Sequence, residues 1–214
     1  MRNIYRPNSL LKYFWFMEKK KDLIVNHEGP YERLLGTAVR LIYSQGYAGT
    51  SVNQVIGESD SHKASFYRYF QTKEDLGKEY LKIQAANFQN SWERLMSRSA
   101  NPVEFINRWM ALLNKQVRAK KYFGCPLARF MGSLDQPDQV WTNQSAEILE
   151  SWIHCLEIYF EENKSKGLLP QTFPARKKAE RLMKLFQGNS QFYMITGNSK
   201  FFKELEEEMI GELT

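Results

Sequence analysis

The sequence predicts an all-α protein. From Pro30 onward apolar residues recur at helical spacing almost throughout, and no alternating strand pattern bounded by hairpin turns interrupts them. The breaks fall at Asn101-Pro102, Gln136-Pro137, the Gly167–Pro174 stretch and Gly197-Asn198, residues that end or begin helices. With 214 residues the chain has room for one or two domains, and 43% hydrophobic content is too high for a disordered chain. No apolar run is long enough to span a bilayer, so no membrane partner is expected.

The first helix carries the stripe Leu34, Leu35, Ala38, Leu41 and Ile42, and Gly46 ends it, after which Tyr47 packs back. A short segment from Ser51 to Glu58 follows, with Val52, Val55 and Ile56 on one face and Ser51 placed to cap its start. Ser59-Asp60-Ser61 is a polar break that suits a turn. The next segment, His62 to Phe70, can bury Phe66 and Phe70 while Lys63, Ser65, Tyr67 and Arg68 remain available. Two short helices about a tight turn form a helix-turn-helix, the arrangement whose second helix enters the DNA major groove.

Thr72 then reads as an N-cap with Asp75 as its reciprocal partner, opening a long helix from Lys73 to about Ser97. Further helices are expected at 102–119, 124–133, 138–166, 175–196 and 199–212. Residues 1–28 read as an arm outside the fold. Tyr13-Phe14-Trp15-Phe16 is too short for the core of a signal peptide, and Met17 is an alternative start. A disordered arm or a mis-assigned start is expected; a basic arm touching DNA is the competing reading.

About fifty contiguous residues resemble the TetR family of bacterial one-component regulators. The resemblance runs from the first-helix stripe with Gly46-Tyr47 through Thr50-Ser51-Val52 and Val55. It continues across Phe66-Tyr67-Arg68-Tyr69-Phe70 to Lys73-Glu74-Asp75-Leu76. Gly124-Cys125-Pro126-Leu127 and Gly167-Leu168-Leu169-Pro170 resemble segments of a subset of that family. The resemblance implies a three-helix DNA-binding domain over residues 29–76 and a helical effector-binding and dimerisation domain over 77–214. Ser59-Asp60-Ser61-His62 departs from the Ala-Gly-Val-Ser usual at the turn, and Ala64 stands where Gly is common. Asp60 can take a left-handed conformation at modest cost, whereas Ser61 in place of a buried Val costs on the order of 1 kcal/mol or more.

Hydroxyl and lysine side chains at helix N-termini suit phosphate, because free N–H groups and the helix dipole favour an anion there. Thr50, Ser51 and Lys73 are the candidates of this kind, and the resemblance implies the role for Tyr67 and Lys73. His62, Lys63 and Ser65, near the start of the recognition helix, are candidates for reading base edges. Tyr69 divides evenly between a DNA contact and half-buried packing.

Net charge is +6, but residues 17–80 balance nine cations against nine acids. The excess lies at 94–129, where eight cations face Glu104 alone. A solvated face is the plain reading; help in approaching DNA or a pocket for an anionic effector are the sharper ones.

For the effector domain, Trp109, Leu113, Phe123, Phe130 and Trp152 are the candidates to line an apolar cavity for an unknown small-molecule effector; ordinary core is the competing reading. Cys125 and Cys155 are too few for a disulfide framework, fit a reducing cytoplasm, and lack the helical spacing of metal ligands, so no metal or cofactor is expected. No catalytic motif is visible, which argues against an enzyme. One helix-turn-helix makes few base contacts, so a homodimer on a palindromic double-stranded DNA operator is expected. Leu182, Leu185, Phe186, Phe192, Tyr193, Phe201, Phe202, Leu205 and Met209 are placed at the dimer interface. The sequence thus predicts a ligand-responsive transcriptional repressor. A helical interaction protein that has lost specific DNA binding is the alternative.

Overall fold

In the computed structural model, which describes residues 29–213, the chain runs through nine described helices. They are α1 (Pro30–Gln45), α2 (Val52–Glu58), α3 (Lys63–Tyr69), α4 (Lys73–Met96), α5 (Pro102–Arg118), α6 (Pro126–Met131), α7 (Gln139–Ser165), α8 (Ala175–Thr196) and α9 (Lys200–Gly211). The readings of the arm at 1–28 lie outside the described residues.

The caps follow local chemistry. Ser51 Oγ accepts from Gln54 N at 3.1 Å, opening α2. Thr72 and Asp75 form a full capping box, Asp75 N donating to Thr72 Oγ1 and Thr72 N donating to Asp75 Oδ2. The expected helix at 124–133 is shorter in the structure. Gly124, at φ 96°, and extended Cys125 hold the chain out of helix until Pro126 starts it, and Gly132 caps its end.

Two helices end with a left-handed residue that is not glycine. After α2, Asp60 takes φ 49° while Asp60 N donates to Gly57 O and Ser61 N to Ile56 O. After α5, Lys120 takes φ 54° while Lys120 N donates to Val117 O and Lys121 N to Gln116 O. Both are Schellman closures, which satisfy carbonyls the helix leaves open. In this conformation a side chain other than glycine costs roughly 1–2 kcal/mol, and Asp bears it better than Lys because its carboxylate can bond locally.

The described helices share one hydrophobic core. Leu34, Leu35, Ala38, Leu41 and Ile42 are all buried, as their spacing predicts, and close over Val55, Phe66 and Phe70. The long α4 leaves this unit and runs into the second, where it packs on α5 and α7. Its passage needs Gly77, since a Cβ there would sit 2.7 Å from the Tyr47 ring and 2.9 Å from Trp141.

The dimer face expected from sequence is corrected. Leu182, Phe186, Phe202, Leu205 and Met209 are buried inside the chain's own α5–α8–α9 core, so they are not available to a second copy. Helical spacing cannot say which of two neighbours an apolar stripe faces. The exposed apolar residues at this end are Phe192 (55%), Met194 and Ile195 (71%).

Candidate nucleic-acid interface

α2 and α3 stand against α1, which fixes the angle of the recognition helix. Phe66 and Phe70 plug into the core with their rings tilted against each other at 5.5 Å, and Phe70 is stacked on Tyr31 at 5.8 Å. The helical period then turns Lys63, Tyr67 and Arg68 outward, and all three are exposed. His62 sits exposed at the N-cap, its carbonyl accepting from Ser65 N at 2.9 Å while its imidazole makes no capping bond. Ser65 is half-buried on the flank of this surface.

The turn is held from α1. Arg33 Nε donates to Ser59 O at 3.2 Å and its Nη2 to Asp60 O at 3.3 Å. A second brace is polar: Arg40 pairs with Glu58 at 2.6 Å, and Gln45 Nε2 donates to Gln54 Oε1 at 2.7 Å. These contacts tie the polar turn in place where the half-buried Ser61 supplies little apolar packing.

Tyr67 is 49% exposed beside Lys63, whose Nζ lies 5.9 Å from the phenol ring centroid. Tyr69 is also exposed, but its ring packs edge-on against Tyr31 at 5.4 Å. Lys73, at the start of α4, lies over the Tyr47 ring at 4.5 Å and donates to Ala48 O at 3.3 Å. Partial burial lowers its ammonium pKa. Ser51 is exposed at the start of α2.

Thr50 does not fit the phosphate set. It is 1% exposed, and its hydroxyl donates to Gly46 O at 2.8 Å. The N-cap rule points to the right turn, but the oxygen that faces outward there belongs to Ser51.

The five residues expected to line a cavity do not converge. Trp109 and Trp152 meet through Phe88 of α4, which stacks on Trp152 at 4.2 Å and lies edge-on to Trp109 at 6.3 Å. Leu113 is buried one turn further along α5. Phe130 instead packs against Tyr47, Tyr80 and Trp141, between the two units. Phe123 lies edge-on to Tyr43 of α1 at 5.4 Å. Sequence spacing places each on an apolar face but cannot assign faces to one cluster.

Three residues that sequence reading missed join the parts: Arg33, Tyr43 and Phe88. Tyr43 Oη donates to Gly124 O at 2.9 Å and accepts from Phe123 N at 3.2 Å. Burial pushes its phenol up to about 12. Nearby, Arg129 Nη2 donates to Ser44 O at 3.0 Å and Tyr47 N to Ser133 Oγ at 2.9 Å. The signal was faint: a tyrosine beside the α1 stripe, one position after Ile42. Cys125 is buried and accepts from Gln187 Nε2 at 3.0 Å, and burial raises its thiol pKa, so it is a poor nucleophile.

Residues 34–80 match the family model for bacterial regulatory proteins of the tetR family. That span holds most of α1, then α2, the turn, the recognition helix and the start of α4. Residues 34–80 are a TetR-family DNA-binding domain. The chain is 28% identical over 182 residues to an uncharacterised helix-turn-helix transcriptional regulator from the lacX 3' region of Lactococcus lactis subsp. lactis, covering 81% of this chain and 87% of that one. It is 37% identical over 90 residues to the transcriptional regulator LmrA of Bacillus subtilis, covering 40% and 46%. A TetR-family regulator from Agrobacterium tumefaciens shares the fold at a TM-score of 0.75 with 18% identity, covering 87% of this chain and all of that one. As a TetR-family helix-turn-helix protein the chain is a DNA-binding transcriptional regulator. Among the described residues no helix is long and apolar enough to cross a membrane.

Proposed function

We propose that this regulator is a ligand-responsive, non-enzymatic repressor that binds an inverted-repeat operator as a homodimer. Residues 29–76 form its DNA-binding domain and 77–213 its described effector and dimerisation part. The observation that carries the reading is α4, a 24-residue helix with Lys73 at its DNA-proximal end and Phe88 and Trp92 in the aromatic core at its other end. A ligand that displaces Phe88 acts on the same rigid element that presents Lys73, and a tilt of α4 changes the spacing of two recognition helices in a dimer. Half-sites lie about 34–36 Å apart or at multiples of it, so a few ångströms mismatch both grooves together.

His62 and Lys63 read base edges, with Ser65 at the flank. Ser51, Tyr67 and Lys73 hold phosphates, and the exposed Tyr69 supports Tyr31 and adds a further DNA contact. The exposed Phe192 and Ile195 support self-association, as does Gly188 on the same helix, where an added Cβ meets nothing within 4 Å. Such a bare glycine allows close helix–helix approach. Relatives that carry the family's regulator names support the repressor reading, as does a recognition helix with a mixed polar and basic outer face.

The test is operator binding to genomic DNA flanking the protein's own gene, followed by a screen of small hydrophobic compounds for tryptophan quenching and operator release. Specific binding by a dimer, released by a compound that quenches, supports the reading. A monomer at binding concentrations, or tight quenching with unchanged operator affinity, counts against it.

A further inference from the structure

The basic segment at 94–129 is not one surface. Arg94 and Arg98 lie at the far end of α4, Arg108 pairs with Glu104 at 2.6 Å, and Arg129 reaches inward to Ser44 O. Lys115 has an interaction of its own, and what remains is a compact group at the end of α5: Arg118, Lys120 and Lys121. All three are exposed, and none forms an ion pair with a described acidic residue. Elsewhere arginines tend to be matched: Arg40 with Glu58, Arg176 with Glu150 and Glu180, Arg181 with Glu212.

The loop that carries these cations is wedged among three elements. Tyr43 of α1 holds it through Phe123 N and Gly124 O. Tyr122 packs on Tyr193 of α8 at 5.8 Å and on Phe202 of α9 at 5.2 Å. A Cβ on Gly124 would lie 3.4 Å from Met194 Cγ. The cations therefore sit where the DNA-binding unit meets the exposed apolar end of α8. Lys120 adds an independent sign, because it holds a left-handed position, φ 54°, that glycine would occupy without strain. A lysine in a position that strains its backbone points to use of its charge.

We propose that Arg118, Lys120 and Lys121 form a second phosphate-binding surface, contacting the DNA backbone between the two half-sites. The partner is double-stranded DNA and the contact is sequence-independent, because a cluster of flexible cations with no planar donor pair aimed at a base edge neutralises phosphates without reading bases. The proposal rests on the dimeric operator reading above. Pairing of the exposed Phe192 and Ile195 at the end of α8 across the two-fold axis would bring both copies of the cluster to the centre of the site.

The experiment measures operator affinity by fluorescence anisotropy across a salt series. It compares the full chain, the triple variant Arg118→Ala/Lys120→Ala/Lys121→Ala, the single variant Lys120→Gly, and a control, Lys82→Ala/Arg108→Ala/Lys164→Ala. The control removes equal charge from three cations already paired with acids. Each phosphate contact contributes about 0.9 to the slope of log affinity against log salt. The triple variant is expected to lose at least two slope units with its preference for operator over a random duplex unchanged. Lys120→Gly should keep or raise the melting temperature and still lower the slope, which separates charge from folding. A triple variant with wild-type slope and affinity overturns the proposal, as does a control that loses as much as the triple variant. If the unmodified chain shows no operator preference or binds as a monomer, the dimeric operator reading falls, and this proposal falls with it.

Discussion

The Tyr43 hydroxyl donates to Gly124 O at 2.9 Å, bonding the DNA-binding unit to the effector part across 81 positions of sequence. The same oxygen accepts from Phe123 N, so one side chain satisfies a donor and an acceptor in the α5–α6 loop. A rigid contact of this kind moves α1 with the loop.

Tyr43→Phe removes both bonds and leaves the Gly124 carbonyl and Phe123 amide unsatisfied in a largely buried site. The expected cost is about 1–3 kcal/mol, read as a lower denaturant midpoint with unchanged slope. Operator affinity without ligand should change little, while ligand-driven release weakens. Unchanged release would assign the coupling to α4 alone.

Lys73→Ala should weaken all DNA sequences alike and lower the salt slope by about one unit per protomer. It also removes the contact over Tyr47, worth about 0.5–1 kcal/mol of stability at a partly exposed site. Lys63→Ala, by contrast, should change preference among operator variants by about 1–3 kcal/mol, and Ser65→Ala by less. Competition titrations against single-base operator variants distinguish the two behaviours.

At the turn, Asp60→Gly relieves the left-handed strain but makes the unfolded chain more flexible. The two effects offset, and the expected gain is below about 1 kcal/mol. Arg33→Ala, which frees the Ser59 and Asp60 carbonyls that its guanidinium holds, should lower stability by about 1–2 kcal/mol and weaken specific binding more than non-specific binding. Melting curves paired with operator and random-duplex titrations check both.

Alkaline pH should destabilise the fold. Burial raises Tyr43 and Tyr47 to about 12, against about 10 in an unfolded chain. Between those values the unfolded state has released protons that the folded state retains, so stability falls as pH rises. Below pH 10 the contribution is fully present. The part of the phenolate absorbance that Tyr43→Phe removes should therefore rise together with unfolding rather than before it, and Tyr43→Phe should make the decline shallower.

Much of this protein is decided by local sequence. The α1 stripe, the Ser51 cap, the Thr72–Asp75 capping box and the left-handed Asp60 are each set within a few residues, where periodicity and capping chemistry act without help from the rest of the chain. The same holds for the burial of Phe66 and Phe70, which decides by helical period that Lys63 and Tyr67 face outward. Only the tertiary structure decided which apolar faces meet. Leu182, Phe186, Phe202, Leu205 and Met209 are internal core while Phe192 and Ile195 are exposed, though all sit on apolar faces of α8 or α9. Likewise Phe130 and Phe123 belong to the junction of the two units, and Phe88 rather than either of them joins Trp109 to Trp152. The physical reason is that a helix's period fixes which residues share a face. Which neighbour covers that face depends on contacts between residues far apart in the chain, as with Tyr43 and Gly124 or Arg33 and Ser59.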